Sequence, residues 1–324
     1  MKWLLGAVAV LLVIAIAVGI AVIVMSRGGD SRPSASPTGV PSDIASANDT
    51  GPVSIITNEP TCATFVGINN SLADLQTQGW GAQRKALGPA SEWTPEQRSR
   101  VEAVATGMRN AANQSVALAK QTPHRVVREL YEQFIANGRA YADSVRDYVP
   151  ADDGLASANV NASSAIIGIC NTITFGSSNR GLGVDPAASP TTIAAPQDPQ
   201  KSLPFITEPT STCSEWVSRL DNFNSETTAW ADADPSVPAS EWTPERRTLE
   251  VATRPLLTAY ANDAQAAGRE SGNPAFEDFA LSSALYLRTY LTVADNYTGI
   301  DGWLSYTGFK FANLVSGACR AAAG

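Results

Sequence analysis

The sequence predicts an all-α protein: an N-terminal single transmembrane helix followed by two tandem homologous four-helix-bundle domains, each closed by one disulfide. Three observations carry that prediction. Seven consecutive residues, Ala90-Ser91-Glu92-Trp93-Thr94-Pro95-Glu96, recur letter for letter as Ala239-Ser240-Glu241-Trp242-Thr243-Pro244-Glu245. An offset of 149 residues marks a duplicated domain rather than a short solenoid repeat. An apolar stripe at 3-4 spacing runs through both copies, and four cysteines fall two per copy beyond an uncharged N-terminal run.

The N-terminal run comes first in the chain. Trp3 to Met25 is 23 residues without a charge, and at 1.5 Å per residue such a helix spans about 35 Å, enough for a hydrocarbon core of about 30 Å. An uncleaved anchor over residues 1–25 is expected, touching the lipid bilayer through residues 3–25. A cleaved signal peptide is the rival reading, since Ala15-Ile16-Ala17 has the small residues of a cleavage site. Cutting there would leave Val18 to Met25 as an apolar stub. Lys2 on one side and Arg27 and Arg32 on the other nearly balance the positive-inside rule. Orientation therefore rests on the cysteines, which favour an oxidising compartment and place the soluble domains outside the cytoplasm.

Residues 26–57, rich in Ser, Pro, Gly, Thr and Asp, read as a disordered, solvated linker. Residues 58–175 form the first repeat domain, 176–204 a second Pro/Ser-rich linker, and 205–324 the second repeat domain. Four helices are expected in each domain. The first follows the leading cysteine, from Cys62 to Trp80 and from Cys213 to Trp230. The second begins at the duplicated box, where Thr94 and Thr243 are N-caps, Pro95 and Pro244 take the first helical position, and Glu96 and Glu245 suit the helix dipole. Gln97 completes a capping box with Thr94, whereas Arg246 leaves the second copy a simple cap. Trp93 and Trp242, just ahead of the caps, read as core anchors.

The third helix opens near Pro123 and Pro274. Its stripe is Val127, Leu130, Phe134, Gly138, Tyr141, Val145 and Tyr148 in the first copy, matched by Phe276, Phe279, Ser283, Leu287, Tyr290, Ala294 and Tyr297 in the second. The fourth runs from Leu155 to Cys170 and from Trp303 to Cys319. Strand signals are nearly absent. Four cysteines allow three pairings, and the one that respects two copies is Cys62–Cys170 with Cys213–Cys319. Each would close a long loop, worth about 4–5 kcal/mol in the chain-entropy model. No C-x-x-C spacing or histidine cluster favours reactive thiols or a metal site instead.

A net charge of −8 without a basic patch argues against a nucleic-acid partner. Scarce lysine beside plentiful alanine and arginine is the bias of high-GC bacteria such as actinobacteria. Catalytic groups are thin: His124 is the single histidine and has no histidine counterpart in the second copy, and no nucleophile-elbow, zincin, P-loop or dinucleotide motif occurs. Asp152-Asp153 and Glu96 with Glu102 sit at helix starts, where acids stabilise the dipole. No catalytic residue, cofactor or metal ligand is expected.

Polar residues shared by the copies are Asn113 with Asn262 and Arg139 with Arg288, a pattern of helix-register hydrogen bonds or, less favoured, of a binding site. The second copy is richer in aromatics, with Phe276, Phe279, Tyr286, Trp303 and Phe309. Candidate contacts for a partner or ligand are thus Arg139, Arg288, Trp303, Phe276 and Phe309. The function expected is that of a non-enzymatic envelope protein, an accessory, scaffold or protein-binding subunit that docks on another membrane or wall component. A carrier of lipid or another apolar ligand, using room left by Gly138 and Ala142, is the alternative, and an enzyme the second alternative.

Overall fold

The duplicated box does what its residues dictate. In the computed structural model the Thr94 hydroxyl accepts from Gln97 N at 3.2 Å while Thr94 N donates to Gln97 Oε1 at 2.9 Å, a complete capping box. Thr243 accepts from Arg246 N at 3.2 Å without the reciprocal bond. The tryptophan ahead of each cap is buried: Trp93 Nε1 donates to Gly88 O and Trp242 Nε1 to Val237 O, at 2.8 and 2.9 Å. Their rings lie on Tyr148 and Tyr297, with centroids 5.1 and 5.5 Å apart.

The structure describes residues 43–324 except 182 and 188, and the expected anchor at 1–25 and linker segment 26–42 lie outside the described residues. Among the described residues all secondary structure is helical, and no helix is long and apolar enough to cross a membrane. The described residues form eight long helices: α1 (Cys62–Thr77), α2 (Pro95–Gln121), α3 (Arg125–Ser144), α4 (Asp153–Phe175), α5 (Ser211–Glu226), α6 (Pro244–Glu270), α7 (Pro274–Val293) and α8 (Gly302–Ala323). Helices α1–α4 form the first repeat and α5–α8 the second. Disulfides Cys62–Cys170 and Cys213–Cys319 join the first helix of each repeat to its last.

Aromatic packing is duplicated in part. Phe65 on α1 meets Tyr131 and Phe134 on α3 edge-on at 5.2 and 5.5 Å, while Trp216 on α5 meets Phe276 on α7 at 5.2 Å. Trp80 packs on Tyr141 as Trp230 packs on Tyr290. From residue 43 onward the two repeats make one compact unit, with buried apolar side chains continuous through both.

The seam between repeats is built from α4 and α8, which run antiparallel, Gly154 facing Ala321, Ala158 facing Gly317 and Gly168 facing Thr307. Small residues make the approach possible. A Cβ on Gly168 would fall 2.4 Å from Thr307 Oγ1, and one on its repeat equivalent Gly317 would fall 2.7 Å from Ala158 N. Ala158 and Thr307 are themselves equivalents at the 149-residue offset. Each glycine therefore receives the counterpart of the residue the other receives, which is the signature of a pseudo-two-fold axis through the seam. Gly154 extends the contact, since a Cβ there would lie 2.4 Å from Ala321 N.

Two stretches read from composition as solvated linkers are in part packed. Of the segment 26–57, the described part from residue 43 buries Ile44, Ser46, Val53 and Ile56 against the helices, because its few branched apolar residues outweigh the polar ones around them. In 176–204, Ser177, Ser178, Ala187 and Ser202 are buried, and Ala187 N donates to Val53 O at 3.1 Å. Thr191 N and Oγ1 both donate to the Glu277 carboxylate, at 2.9 and 2.6 Å. The room expected at Gly138 is also filled, by Asn159, whose Nδ2 donates to Phe134 O at 2.7 Å and would lie 2.7 Å from an added Cβ.

Gly154→Ala is expected to destabilise the protein by about 1–3 kcal/mol, because the new methyl meets backbone of Ala321 that no rotamer change can move. Gly67→Ala in α1, where nothing lies within 4 Å, is expected to stabilise by about 0.5–1 kcal/mol. Urea unfolding of both variants beside the parent checks the pair.

Candidate functional site

Helix α4 ends at Phe175 because Gly176, at φ +85°, adopts the left-handed conformation that closes a helix at low cost. The following turn, Ser177–Arg180, brings Arg180 back toward the start of α8. There its guanidinium donates to Asp301, to Thr298 Oγ1 at 3.1 Å and to Asn296 O at 2.9 Å. Asp301 also accepts from Thr298 N at 2.7 Å, capping the turn that leads into α8. These bonds hold the end of α4 against the beginning of α8.

An aromatic ledge results. Phe175, 44% exposed, stacks on Trp303 with centroids 6.2 Å apart and planes 11° from parallel. Trp303 meets Tyr306 edge-on at 5.2 Å, and Lys310 Nζ lies 4.8 Å over the Tyr306 ring. Ile300, in the preceding turn, is exposed as well. A large aromatic pair left half in water, beside a cation, is chemistry suited to contact with another macromolecule.

Of the sequence-predicted contacts, Trp303 alone lies on this ledge. Phe276 is buried, 2% exposed, because the first turn of α7 faces Trp216 on α5. Phe309 packs inward on Phe223, Trp230 and Tyr260 at 5.2–6.2 Å. Phe276 belongs to the second repeat's core, which corrects its assignment as a contact residue, and Phe309, partly buried, packs against that core. Arg139 and Arg288 make equivalent bonds within the chain: Arg139 Nη2 donates to Asn113 Oδ1 at 2.8 Å and Arg288 Nη2 to Asn262 Oδ1 at 2.9 Å, tying α2 to α3 and α6 to α7. Arg139 further reaches Gln200 O, and Arg288 reaches Gln265 Oε1. Phe175 was not among the sequence candidates, and its signal is an aromatic immediately before a helix-ending glycine.

The acids singled out in the sequence have structural partners. Asp152 Oδ2 accepts from Val149 N at 2.9 Å, Asp153 pairs with Arg84 at 3.2 Å, and Glu96 pairs with Arg100 at 2.7 Å. His124 Nε2 is bonded to Asn58 O at 2.8 Å. Among the described residues no group of three or more His, Cys, Asp or Glu is placed to hold a metal ion. A surface groove of about 410 Å³ between α1 and α2 has a mixed lining that includes Leu75, Gln78, Glu96, Arg100 and Val104.

Sequence reading missed a second concentration of polar groups, at the first turns of α3. Arg125, 2% exposed, donates from Nε and Nη2 to the two oxygens of Asp278 on α7, at 2.7 and 3.1 Å. Its Nη1 donates to Asp49 O and Gly51 O, and its backbone N to Asp49 Oδ2 at 2.6 Å. One turn on, Arg128 donates to Glu132 Oε1 at 2.9 Å and to Ser46 Oγ at 3.1 Å, with Glu129 Oε1 at 3.5 Å. The 43–57 segment covers this cluster. A neighbouring carboxylate, Glu59, is buried with three hydroxyl or N–H donors, Thr61 N, Thr61 Oγ1 and Thr122 Oγ1, at 2.6–3.0 Å.

Fold and site together define a disulfide-stapled, all-helical pseudo-dimer in one chain, with an aromatic ledge at its seam. The chain belongs to the family described as mycobacterial ESX-1 associated protein, which matches residues 44–324. It is similar to an uncharacterised protein of Mycolicibacterium smegmatis (strain MKD8), 41% identical over 329 residues that cover 99% of this chain and 86% of the relative. No solved structure matches.

Arg125→Met is expected to cost about 3–5 kcal/mol, since it strips the cation from a buried carboxylate, whereas Arg139→Met, which removes solvent-accessible hydrogen bonds, should cost about 0.5–1.5 kcal/mol. Chemical denaturation of the two variants measures the contrast.

Proposed function

We propose that this chain is a membrane-anchored, extracytoplasmic accessory or scaffold subunit of non-enzymatic type that binds another protein of the ESX-1 secretion apparatus. The observation that carries the reading is the half-exposed Phe175–Trp303 stack at the seam between repeats. Membership of an ESX-1 associated family supports a secretion-system partner. Two disulfides support an oxidising location, and the uncharged run from Trp3 to Met25 supports an anchor. The ledge spans both repeats, so a partner seated on it would read their mutual position.

Protein docking is favoured over lipid carriage. The space expected beside Gly138 is taken by Asn159, and the groove between α1 and α2 includes charged groups in its lining, unlike the mostly apolar walls of a lipid site.

A photocrosslinking residue placed at Phe175 in the full-length protein, expressed in its own host, is expected to trap one component of the ESX-1 machinery. Phe175→Ser and Trp303→Ser should each lower recovery of that component at least about tenfold, the loss of an aromatic hot spot, while leaving both disulfides formed. Undiminished recovery in both variants would remove the ledge as the docking surface.

A further inference from the structure

Glu129 and Asp278 hold the same position in the two repeats, 149 residues apart. They lie where α3 crosses α7 and Arg125 reaches Asp278, and are 2% and 0% exposed. The charges around them are countable. Arg125 is committed to Asp278 and Arg128 to Glu132. These two guanidiniums are already shared among Asp278, Glu132 and, more distantly, Asp49, and Glu129 is left over. Its Oε1 stands 3.5 Å from Arg128 Nη2, a weak contact. Its Oε2 is buried with no hydrogen-bond partner among the described residues, and Asp278 is the carboxylate beside it.

Two ionised carboxylates side by side at a buried seam repel strongly, and a single shared proton turns the repulsion into a charge-assisted hydrogen bond. Burial first, and then the charge of Asp278, push the Glu129 carboxyl well above the usual carboxylate range, against the opposing pull of Arg128. The remaining charged neighbours are accounted for. Glu132, on the same helix, is itself raised by burial and held back by Arg128. Asp49, from the covering segment, faces Arg125 at 4.0 Å. Glu277 on α7 is bonded instead to Thr191.

We propose that the Glu129–Asp278 contact is a proton-dependent latch between the repeats: neutral Glu129 donates a hydrogen bond to Asp278 and holds α3 on α7, and loss of that proton drives the carboxylates apart and loosens the seam. The direction follows from linkage. Glu129 binds its proton more tightly in the folded protein than in the unfolded chain, so its contribution is fully present below the ordinary glutamate value and is lost as pH rises through the raised one. Within that window one proton is released on unfolding, and the unfolding constant should rise about tenfold per pH unit.

The test uses the full-length protein in detergent, with urea unfolding followed by tryptophan emission across about pH 5 to 8, alongside infrared spectra of the protonated-carboxyl stretch. Glutamine reproduces the neutral, donating form of Glu129. Glu129→Gln is therefore expected to fold, to lose one proton's share of the pH slope, and to lose a carboxyl band that the parent retains above the ordinary carboxylate range. A parent with no such band, a Glu129→Gln slope equal to the parent's, or a Glu129→Gln protein that does not fold would each overturn the latch.

Discussion

Backbone-to-backbone approach of α4 and α8 is the constraint on which the remaining geometry depends. Gly154, Gly168 and Gly317 have no Cβ where one would strike the opposing helix within 2.7 Å. Alanines such as Ala158, Ala162 and Ala165 line the same buried region. At that separation many weak dispersion contacts act at once, and the register is fixed because a shift along the helix replaces glycine by a larger residue at each close point. The seam in turn sets two other meetings: α3 against α7, which brings Arg125 to Asp278, and the end of α4 against the start of α8, which brings Phe175 to Trp303.

Local devices hold each repeat ready for that seam. The caps at Thr94 and Thr243 start α2 and α6, the adjoining tryptophans close over Tyr148 and Tyr297, and the disulfides fix α1 to α4 and α5 to α8. The Arg125–Asp278 pair acts differently. Removing two charges from water consumes most of what their attraction returns, so its main effect is selection: a slipped seam would leave a guanidinium and a carboxylate buried without each other.

Much of the fold was legible because its signals are local or duplicated. Thr94 with Gln97 is a cap in any context, and the matching of Cys62 to Cys213 and of Cys170 to Cys319 selected the pairing that the structure has. The site was less legible. An aromatic such as Phe276 has the same letter whether it fills a core or faces a partner, and only the position of Trp216 decides. Arg125, Arg128, Glu129 and Glu132 look like a solvated helix face with spaced ion pairs, because their burial comes from α7 and from residues 43–57, far away in sequence. Composition likewise hid the packing of those residues, since four buried side chains among polar neighbours barely alter it.

Carrying both halves of a two-fold association in one chain changes what the association must withstand. Two separate subunits would part on dilution, whereas tethered halves face each other at an effective concentration fixed by the connection, of millimolar order for a short flexible one. The seam can therefore be energetically modest, and even adjustable, without the assembly being lost. Covalent duplication also frees the halves from identity. Position 129 is glutamate while its counterpart 278 is aspartate, and Trp303 stands where the first half has Gly154. A true homodimer would have to carry every such change twice, once on each side of its axis.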